Sequence, residues 1–203
     1  MNSEIDSVDM NKTDAKQSES STRIVMIGTP SYDGKISAWH ASAIVETCKI
    51  GIVNNINILP IYMSYDALVQ RARNDIVKLA IDNNVDDLVF IDSDIGFNPH
   101  DVIKMIKSDV DMIGGIYPKK EINWDGVKRA MDQGVPNESL QYYTGSFVVN
   151  LVGYAGEVTV PFHEPCEIYN AGTGFLLIKR EVFDKLSEHV PTYKNDVKDL
   201  GNT

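Results

Sequence analysis

The fold is decided by one stretch, VDDLVFIDSDIGFNP, at residues 85–99. Within it, residues 88–91 form an apolar run rich in β-forming side chains, of a length typical of a strand buried on both faces. The run ends on two carboxylates, Asp92 and Asp94, with one small residue between them. The Asn-Pro pair at 98–99 then has the residue types of a helix N-cap and first helical position. The stretch therefore predicts a strand, an acidic loop and a helix.

Asp92 and Asp94 are candidate ligands of a divalent cation. Open α/β sheets bind ligands at the carboxyl ends of their strands, where this loop would lie. Alternate carboxylates on a short loop can share one hard cation, and Mg²⁺ tends to take one or two protein carboxylates together with substrate phosphates. The alternative is that both are turn residues near a helix start. Their position between a buried strand and a capped helix favours the metal site.

The composition limits the classes of function. The 203 residues, 43% of them hydrophobic and 24% charged, suffice for one globular domain. No run reaches the length of a transmembrane helix and no signal peptide is recognisable, so we expect a soluble, cytoplasmic protein. A net charge of −10 without a basic block argues against a nucleic-acid partner. The negative charge is still compatible with a phosphate-bearing small molecule as ligand, because a bound cation would invert the local charge.

Hydrophobic periodicity and turn residues predict an α/β domain after a polar tail at residues 1–22, which we expect to be disordered or to serve as an interaction segment. Strands are predicted at 23–28, 57–63, 88–91 and 110–117, two short ones within 143–160, and a strand–loop–strand unit at 167–178. Helices are predicted at 36–49, 65–84, 99–107 and 181–189, with Trp39 inward on the first and Ser64 capping the second.

Three further segments carry candidate binding residues. The loop at 29–34 follows the first strand, where nucleotides often contact backbone N–H groups, although a plain turn fits equally well. Arg71 and Arg73 lie near the start of the second predicted helix, at the edge of the acidic loop. They can bind a diphosphate through charge-assisted hydrogen bonds, or simply pair with a neighbouring acid. Residues 118–124 form either a substrate-covering loop or a solvated connection.

Several separated motifs together resemble the GT-A-type glycosyltransferases, which use nucleotide-sugar donors. They are Gly28-Thr29-Pro30, Ala72-Arg73-Asn74, the 88–94 strand ending in Asp-Ser-Asp, GGIYPKK at 114–120 and GTGFLLIKR at 172–180. The resemblance covers nearly everything from Arg23 to Leu186. It implies a Rossmann-like, mixed and mostly parallel central sheet flanked by helices, over a domain at 23–203.

The resemblance also implies a reaction and its residues. A sugar would pass from a nucleoside diphosphate to a glycan or protein acceptor, with Mn²⁺ or Mg²⁺ neutralising the departing diphosphate. The metal ligands would be Asp92 and Asp94. Donor binding is assigned to Thr29, Pro30 and Tyr32 at the base and ribose, Arg71 and Arg73 near the nucleotide, Asp92, Ser93 and Asp94 at the ribose and metal–diphosphate, Lys119 or Lys120 from the covering loop, and Gly172, Thr173 and Gly174 beside the donor sugar or acceptor.

The sequence departs from this family in two respects. No Glu-Asp pair, which supplies the catalytic base in many inverting members, follows Gly174, and only His163, His189 and Asp196 offer a late metal ligand. Either the chain is truncated at its carboxyl end or the base comes from elsewhere, and we assign no catalytic base. Two alternatives stay open: a non-catalytic module of the same fold, and a phosphotransferase of the haloacid-dehalogenase type. The latter is disfavoured because in that class the Asp-x-Asp motif ends the first strand of the domain, whereas here several strands and two helices are predicted before it.

Overall fold

The computed structural model describes residues 22–147, 149–152 and 164–193. The predicted tail therefore lies outside the described residues except for Thr22, as do His163 and Asp196. The strands are β1 (Arg23–Ser31), β2 (Ile56–Ser64), β3 (Asp87–Ile91), β4 (Met112–Gly114), β5 (Asn150–Leu151), β6 (Ile168–Asn170) and β7 (Phe175–Lys179). The helices are α1 (Ala38–Val53), α2 (Val69–Asp82), α3 (Pro99–Lys107), α4 (Trp124–Asp132) and α5 (Arg180–Ser187), with a 3₁₀ helix at Asn137–Tyr143.

Five strands form one mixed sheet in the order β2-β1-β3-β7-β4. β1 pairs in parallel with β2 and β3, and β7 pairs antiparallel with β3 and β4. Helices α1 and α2 provide the crossover connections that successive parallel strands require. β5 and β6 form a separate antiparallel pair. The predicted α/β class, with a mixed sheet flanked by helices, is confirmed.

Alternating residues of the sheet pack against helices on its two faces. In β3, Val89 and Ile91 belong to a buried cluster with residues of α1 and α3, whereas Leu88 and Phe90 join a second cluster with residues of α2. A strand covered on both faces needs apolar side chains at successive positions, which explains the run at 88–91. No helix within the described ranges combines the length and apolar character needed to cross a membrane.

One edge of the sheet collects the loops that carry the predicted site. Strands β1, β2 and β3 run in the same direction, so their carboxyl ends meet there. Because β7 runs the other way, its first residue reaches the same edge, where Phe175 pairs with Ile91. Strand direction thus makes the acidic loop after β3 a neighbour of the glycine loop before β7.

The predicted start of the second helix is wrong. Ser64 ends β2, and α2 begins only at Val69. Tyr65 adopts a positive φ of 64°, and the Asp66 carboxylate accepts a hydrogen bond from the Leu68 amide at 2.9 Å. These local contacts stabilise a turn in place of the predicted first helical turn.

The prediction that Trp39 points inward is also wrong, since it is 81% exposed. Helix α1 buries the face that carries His40, Ala43, Ile44 and Thr47, and Trp39 lies outside that face. Apolar residues lie on both the buried and exposed sides of α1, so its periodicity identifies the core-facing side poorly.

A buried ion pair joins the beginnings of β1 and β3, at the end of the sheet opposite the acidic loop. The Asp87 side chain is completely buried. Arg23 donates to its two oxygens from Nε at 2.5 Å and from Nη2 at 2.8 Å. The hydrogen bond with Asp87 is the main cause that raises the pKa of Arg23, and Asp109, 3.7 Å away, adds to it. The pair satisfies a carboxylate that would otherwise be costly to bury.

Replacing Arg23 tests the contribution of this pair. Arg23→Met leaves the Asp87 carboxylate buried without its partner and should lower the free energy of unfolding by about 3 kcal/mol. The matched control, Lys78→Met, removes a lysine from an exposed pair with Asp82 and should cost less than about 1 kcal/mol. Urea unfolding measures both variants. Equal losses in the two variants would contradict the prediction.

Candidate functional site

Backbone hydrogen bonds hold the acidic loop from two sides. The Asp92 amide donates to the Gly174 carbonyl at 2.9 Å, and the Ser93 carbonyl accepts from the Ser37 amide at 2.9 Å. Ser37 is the N-cap of α1. The Ile95 amide donates back to the Asp92 carbonyl at 3.0 Å, closing a turn. The glycine loop before β7 and the start of α1 therefore both position the loop backbone.

The side chain of Asp92 is paired with Arg73 of α2. Arg73 Nη2 donates to Asp92 Oδ1 at 2.7 Å. The Arg73 side chain is only 20% exposed, and its guanidinium carbon lies 5.8 Å from the centre of the Phe90 ring. Arg73 Nε is buried and has no hydrogen-bond partner within the described part of the chain. Such a donor is costly to leave unpaired, and this makes Arg73 a candidate ligand-binding residue.

Arg71, two residues earlier, contacts a different acid. It donates from Nε and Nη2 to the Asp66 carboxylate at 2.8 and 2.7 Å. This hydrogen bonding lowers the pKa of Asp66. The structure therefore separates the two arginines: Arg73 contacts the acidic loop, whereas Arg71 pairs with a neighbouring acid.

Asp94 is paired with Lys120, from the segment between β4 and α4. Lys120 Nζ donates to Asp94 Oδ2, and both side chains are exposed. The hydrogen bond to Asp94 raises the pKa of Lys120, and the charge of Asp92 adds to the effect. Of the two lysines in the predicted covering loop, Lys120 thus contacts the acids, while Lys119 Nζ lies 3.6 Å from Glu121.

Tyr117, to which the sequence analysis assigned no role, packs against the glycine loop. Its hydroxyl accepts a hydrogen bond from the Gly174 amide at 3.0 Å. A Cβ at Gly174 would lie 2.7 Å from Tyr117 Oη and 2.9 Å from Asp92 Oδ2, and a Cβ at Gly172 would collide with the same hydroxyl. The glycines therefore allow the Tyr117 ring and the Asp92 carboxylate to approach the backbone, while Thr173 between them is exposed.

A cleft of about 140 Å³ lies beside the glycine loop. Its lining includes Gly114, Gly115, Tyr117, Lys119, Asn170 and Gly172. Ile116, Val149, Ile168 and Ala171 complete the lining, and the surface that faces the cleft is mostly apolar. The sequence signal for Tyr117 was its place directly after Gly114-Gly115-Ile116.

Thr29 and His40 connect β1 to the acidic loop. His40 Nδ1 lies 3.2 Å from the Ile95 carbonyl oxygen, and His40 Nε2 lies 3.1 Å from the Thr29 hydroxyl. A carbonyl only accepts, so Nδ1 carries the hydrogen, and Nε2 of the neutral ring accepts from Thr29. Both side chains are buried, and burial lowers the pKa of His40.

The remaining predicted residues occupy different environments. The Thr29 hydroxyl is directed to His40, Pro30 is buried, and Tyr32 is 72% exposed. His189, the late ligand candidate within the described ranges, is exposed beyond the end of α5. At the edge of the sheet the structure thus assembles Asp92, Asp94, Arg73, Lys120 and the glycine loop, with Tyr32 as an exposed aromatic after β1.

No family model matches the chain, and a search of curated proteins found no match. The geometry and chemistry of the site are therefore the basis for assigning a function.

Gly174→Ala tests the close packing at the loop. The added methyl group would displace the Tyr117 hydroxyl or the Asp92 carboxylate, and we expect the free energy of unfolding to fall by roughly 1–3 kcal/mol. The control is Gly96→Ala, whose Cβ would lie 3.3 Å from Trp39 Cβ, a contact that a small shift relieves. Urea unfolding of both variants measures the difference. A Gly174→Ala variant as stable as the control would show that the site is less tightly packed.

The buried His40 makes stability depend on pH. His40 has a lower pKa in the folded state than in the unfolded chain. Below about pH 6.5 the unfolded chain therefore binds more protons, and the free energy of unfolding decreases as the pH is lowered. The stability advantage of the wild type over His40→Gln should therefore shrink as the pH is lowered from about 7.5 to 5.5.

Urea unfolding in the presence of a chelator measures this difference. His100→Gln, which removes an exposed histidine on α3, is the matched control. Parallel stability curves for the wild type and His40→Gln would contradict the neutral state of His40.

Proposed function

We propose that this chain is a metal-dependent glycosyltransferase of the GT-A type, which moves a sugar from a nucleoside-diphosphate donor to a glycan or protein acceptor. The observation that carries the proposal is the meeting of Asp92, Asp94, Arg73 and Lys120 at the carboxyl edge of the sheet. Two acids and two cations at this edge suit a ligand that brings both a divalent cation and a diphosphate.

The residues present fit Mn²⁺ or Mg²⁺ held jointly with a substrate. Within the described ranges, no group of three or more His, Cys, Asp or Glu side chains comes together. A cation here would thus have Asp92 and Asp94 as its protein ligands and would depend on phosphate oxygens for the rest, as is usual for Mg²⁺. When bound, the cation neutralises charge on the departing diphosphate.

Arg73 and Lys120 are the cationic side chains that the protein itself places at the acidic loop. Arg73 is largely buried and already oriented by Asp92, so its guanidinium holds a fixed positive charge beside the acidic loop. Lys120 is exposed, and its ammonium can move from Asp94 to a phosphate oxygen when a cation takes its place. Both groups stabilise the negative charge that develops as the glycosidic bond breaks.

The glycine-lined cleft is the candidate position for the sugar. It borders Tyr117, whose hydroxyl is anchored on Gly174, next to Asp92. A side chain at Gly172 or Gly174 would collide with the Tyr117 hydroxyl, so the two glycines allow Tyr117 to lie against the loop at the border of the cleft.

A non-catalytic module that binds a nucleotide sugar or a protein partner is the second candidate. It requires only the donor-binding side chains, whereas transfer also needs a catalytic base, a role to which no residue of the sequence is assigned. Donor turnover separates the two candidates, since a binding module would bind the nucleotide without releasing it from its sugar.

The decisive experiment is a thermal-shift screen of nucleoside diphosphates and their sugars with and without Mn²⁺. A ligand at one hundred times its Kd stabilises the native state by about 2.7 kcal/mol. We expect a shift that requires Mn²⁺ and is lost in Asp92→Asn and Asp94→Asn. Asp82→Asn, on the exposed surface of α2, is the control and should retain it. A metal-dependent shift that survives both site substitutions would overturn the assignment of the site.

Turnover is measured on the ligand that the screen selects. Mn²⁺-dependent release of nucleoside diphosphate from its sugar, lost in Asp94→Asn, supports transfer or donor hydrolysis. Binding without release under the same conditions supports the non-catalytic module.

A further inference from the structure

A groove lies between the carboxyl-terminal half of α1 and the length of α3, and we call it the α1–α3 groove. Its volume is about 520 Å³. The apolar part of its lining includes Ile50, Val53 and Ile103, and Val53 is 86% exposed. Val53 therefore leaves an apolar side chain exposed along the groove.

The rim of the groove is positively charged, although the chain as a whole has a net charge of −10. Lys49, Lys104 and Lys107 line it, together with one acidic residue, Glu46. Lys49 pairs with Glu46 at 3.1 Å and Lys104 with Asp101 at 3.5 Å. Each is an exposed pair between two residues of the same helix, the first on α1 and the second on α3. Such pairs contribute little to stability, so either lysine can readily exchange its partner for another acid. The groove therefore suits an occupant that is both acidic and apolar.

The amino-terminal segment meets the groove at its end. The Thr22 hydroxyl donates to the Asn55 side chain at 3.2 Å. The preceding residue, Asn54, lines the groove and accepts a hydrogen bond from Lys107 at 2.6 Å. The chain before Thr22 thus joins the described fold next to the groove.

The sequence before Thr22 has the complementary composition. Residues 1–21 contain five acidic residues and two lysines. Within them, Glu4-Ile5-Asp6-Ser7-Val8-Asp9 intersperses acids with two β-branched apolar residues. The 12 residues at 10–21 span roughly 20 Å as a random coil, enough to reach the groove from Thr22.

We propose that residues 4–9 bind in the α1–α3 groove of their own chain, with Ile5 and Val8 against the apolar lining and the three acids facing the lysines. Tethering gives such a segment an effective concentration in the millimolar range, so weak contacts suffice. The groove is distinct from the acidic loop, and the proposal does not depend on the proposed function.

The test uses the full chain with a photo-crosslinking residue, Ser7→p-benzoylphenylalanine, which leaves the acids and both apolar residues unchanged. Irradiation followed by mass spectrometry should give cross-links concentrated at residues 46–54 and 100–107. The yield per chain should not depend on protein concentration. Adding Lys104→Glu and Lys107→Glu should lower this yield roughly fivefold, through loss of two charge pairs.

Matched variants make the result specific. Lys78→Glu with Lys128→Glu changes the charge equally outside the groove and should leave the yield unaltered. Asp6→Lys with Asp9→Lys should lower the yield by itself, without altering the folded domain. Asp6→Lys and Asp9→Lys together should restore the yield in the chain that carries Lys104→Glu and Lys107→Glu, because the two charge pairs are then re-formed with opposite polarity.

Three outcomes overturn the proposal. Cross-links spread evenly over the surface would show that the segment has no site. Cross-links between chains, rising with concentration, would identify a second copy as the occupant. An equal loss of yield in the control pair would indicate a response to net charge and not to the groove.

Discussion

An antiparallel strand, β7, lies between β3 and β4, and its direction brings together the loops of the candidate site. Because β7 runs against β3, the loop before it arrives where β3 ends, and the Asp92 amide bonds to the Gly174 carbonyl. The segment after β4 arrives at the same edge and brings Tyr117 onto Gly174. Parts of the chain that are far apart in sequence thereby surround one pair of carboxylates.

Charge compensation is the second organising feature of this edge. Asp92 and Asp94 are each paired with a cation, but the two cations differ in their freedom. Arg73 is largely buried on α2, whereas Lys120 is exposed on a connecting segment. A fixed guanidinium orients a ligand at little cost in entropy, and a mobile ammonium can exchange partners when a ligand enters. The pairing therefore keeps the acids neutralised while leaving one of them accessible.

The two ends of the sheet have separate roles. At the carboxyl edge, polar groups are exposed, and one buried donor, Arg73 Nε, has no partner among the residues that the structure describes. At the opposite end, Asp87 is fully buried and doubly hydrogen-bonded to Arg23. Removing one partner of a satisfied buried pair destabilises a fold, whereas polar groups exposed at the carboxyl edge are available to a ligand. None of the residues that line the α1–α3 groove belongs to the acidic loop, so an occupant there would leave the candidate site accessible.

The elements around residues 85–99 could be predicted from local sequence alone. A run buried on both faces must be apolar, and the Asn98 side chain caps α3 as predicted. Such signals are local, because they depend on burial and on hydrogen bonds between residues close in sequence. The α/β class followed from the same alternation of strands and helices. The start of α2 did not follow, because Tyr65 and Asp66 favour a turn that competes with the first helical turn.

The partner of each charged or polar side chain in the site depends on packing between elements that are distant in sequence. Arg71 and Arg73 are two residues apart on one helix, yet they bind different acids. Lys119 and Lys120 are adjacent, and only Lys120 contacts Asp94. These choices depend on strand direction and on how each helix packs on the sheet. Contacts over such long separations leave no periodic signal in the sequence. For this reason the acidic pair could be predicted from the sequence, whereas the cations that pair with it could not.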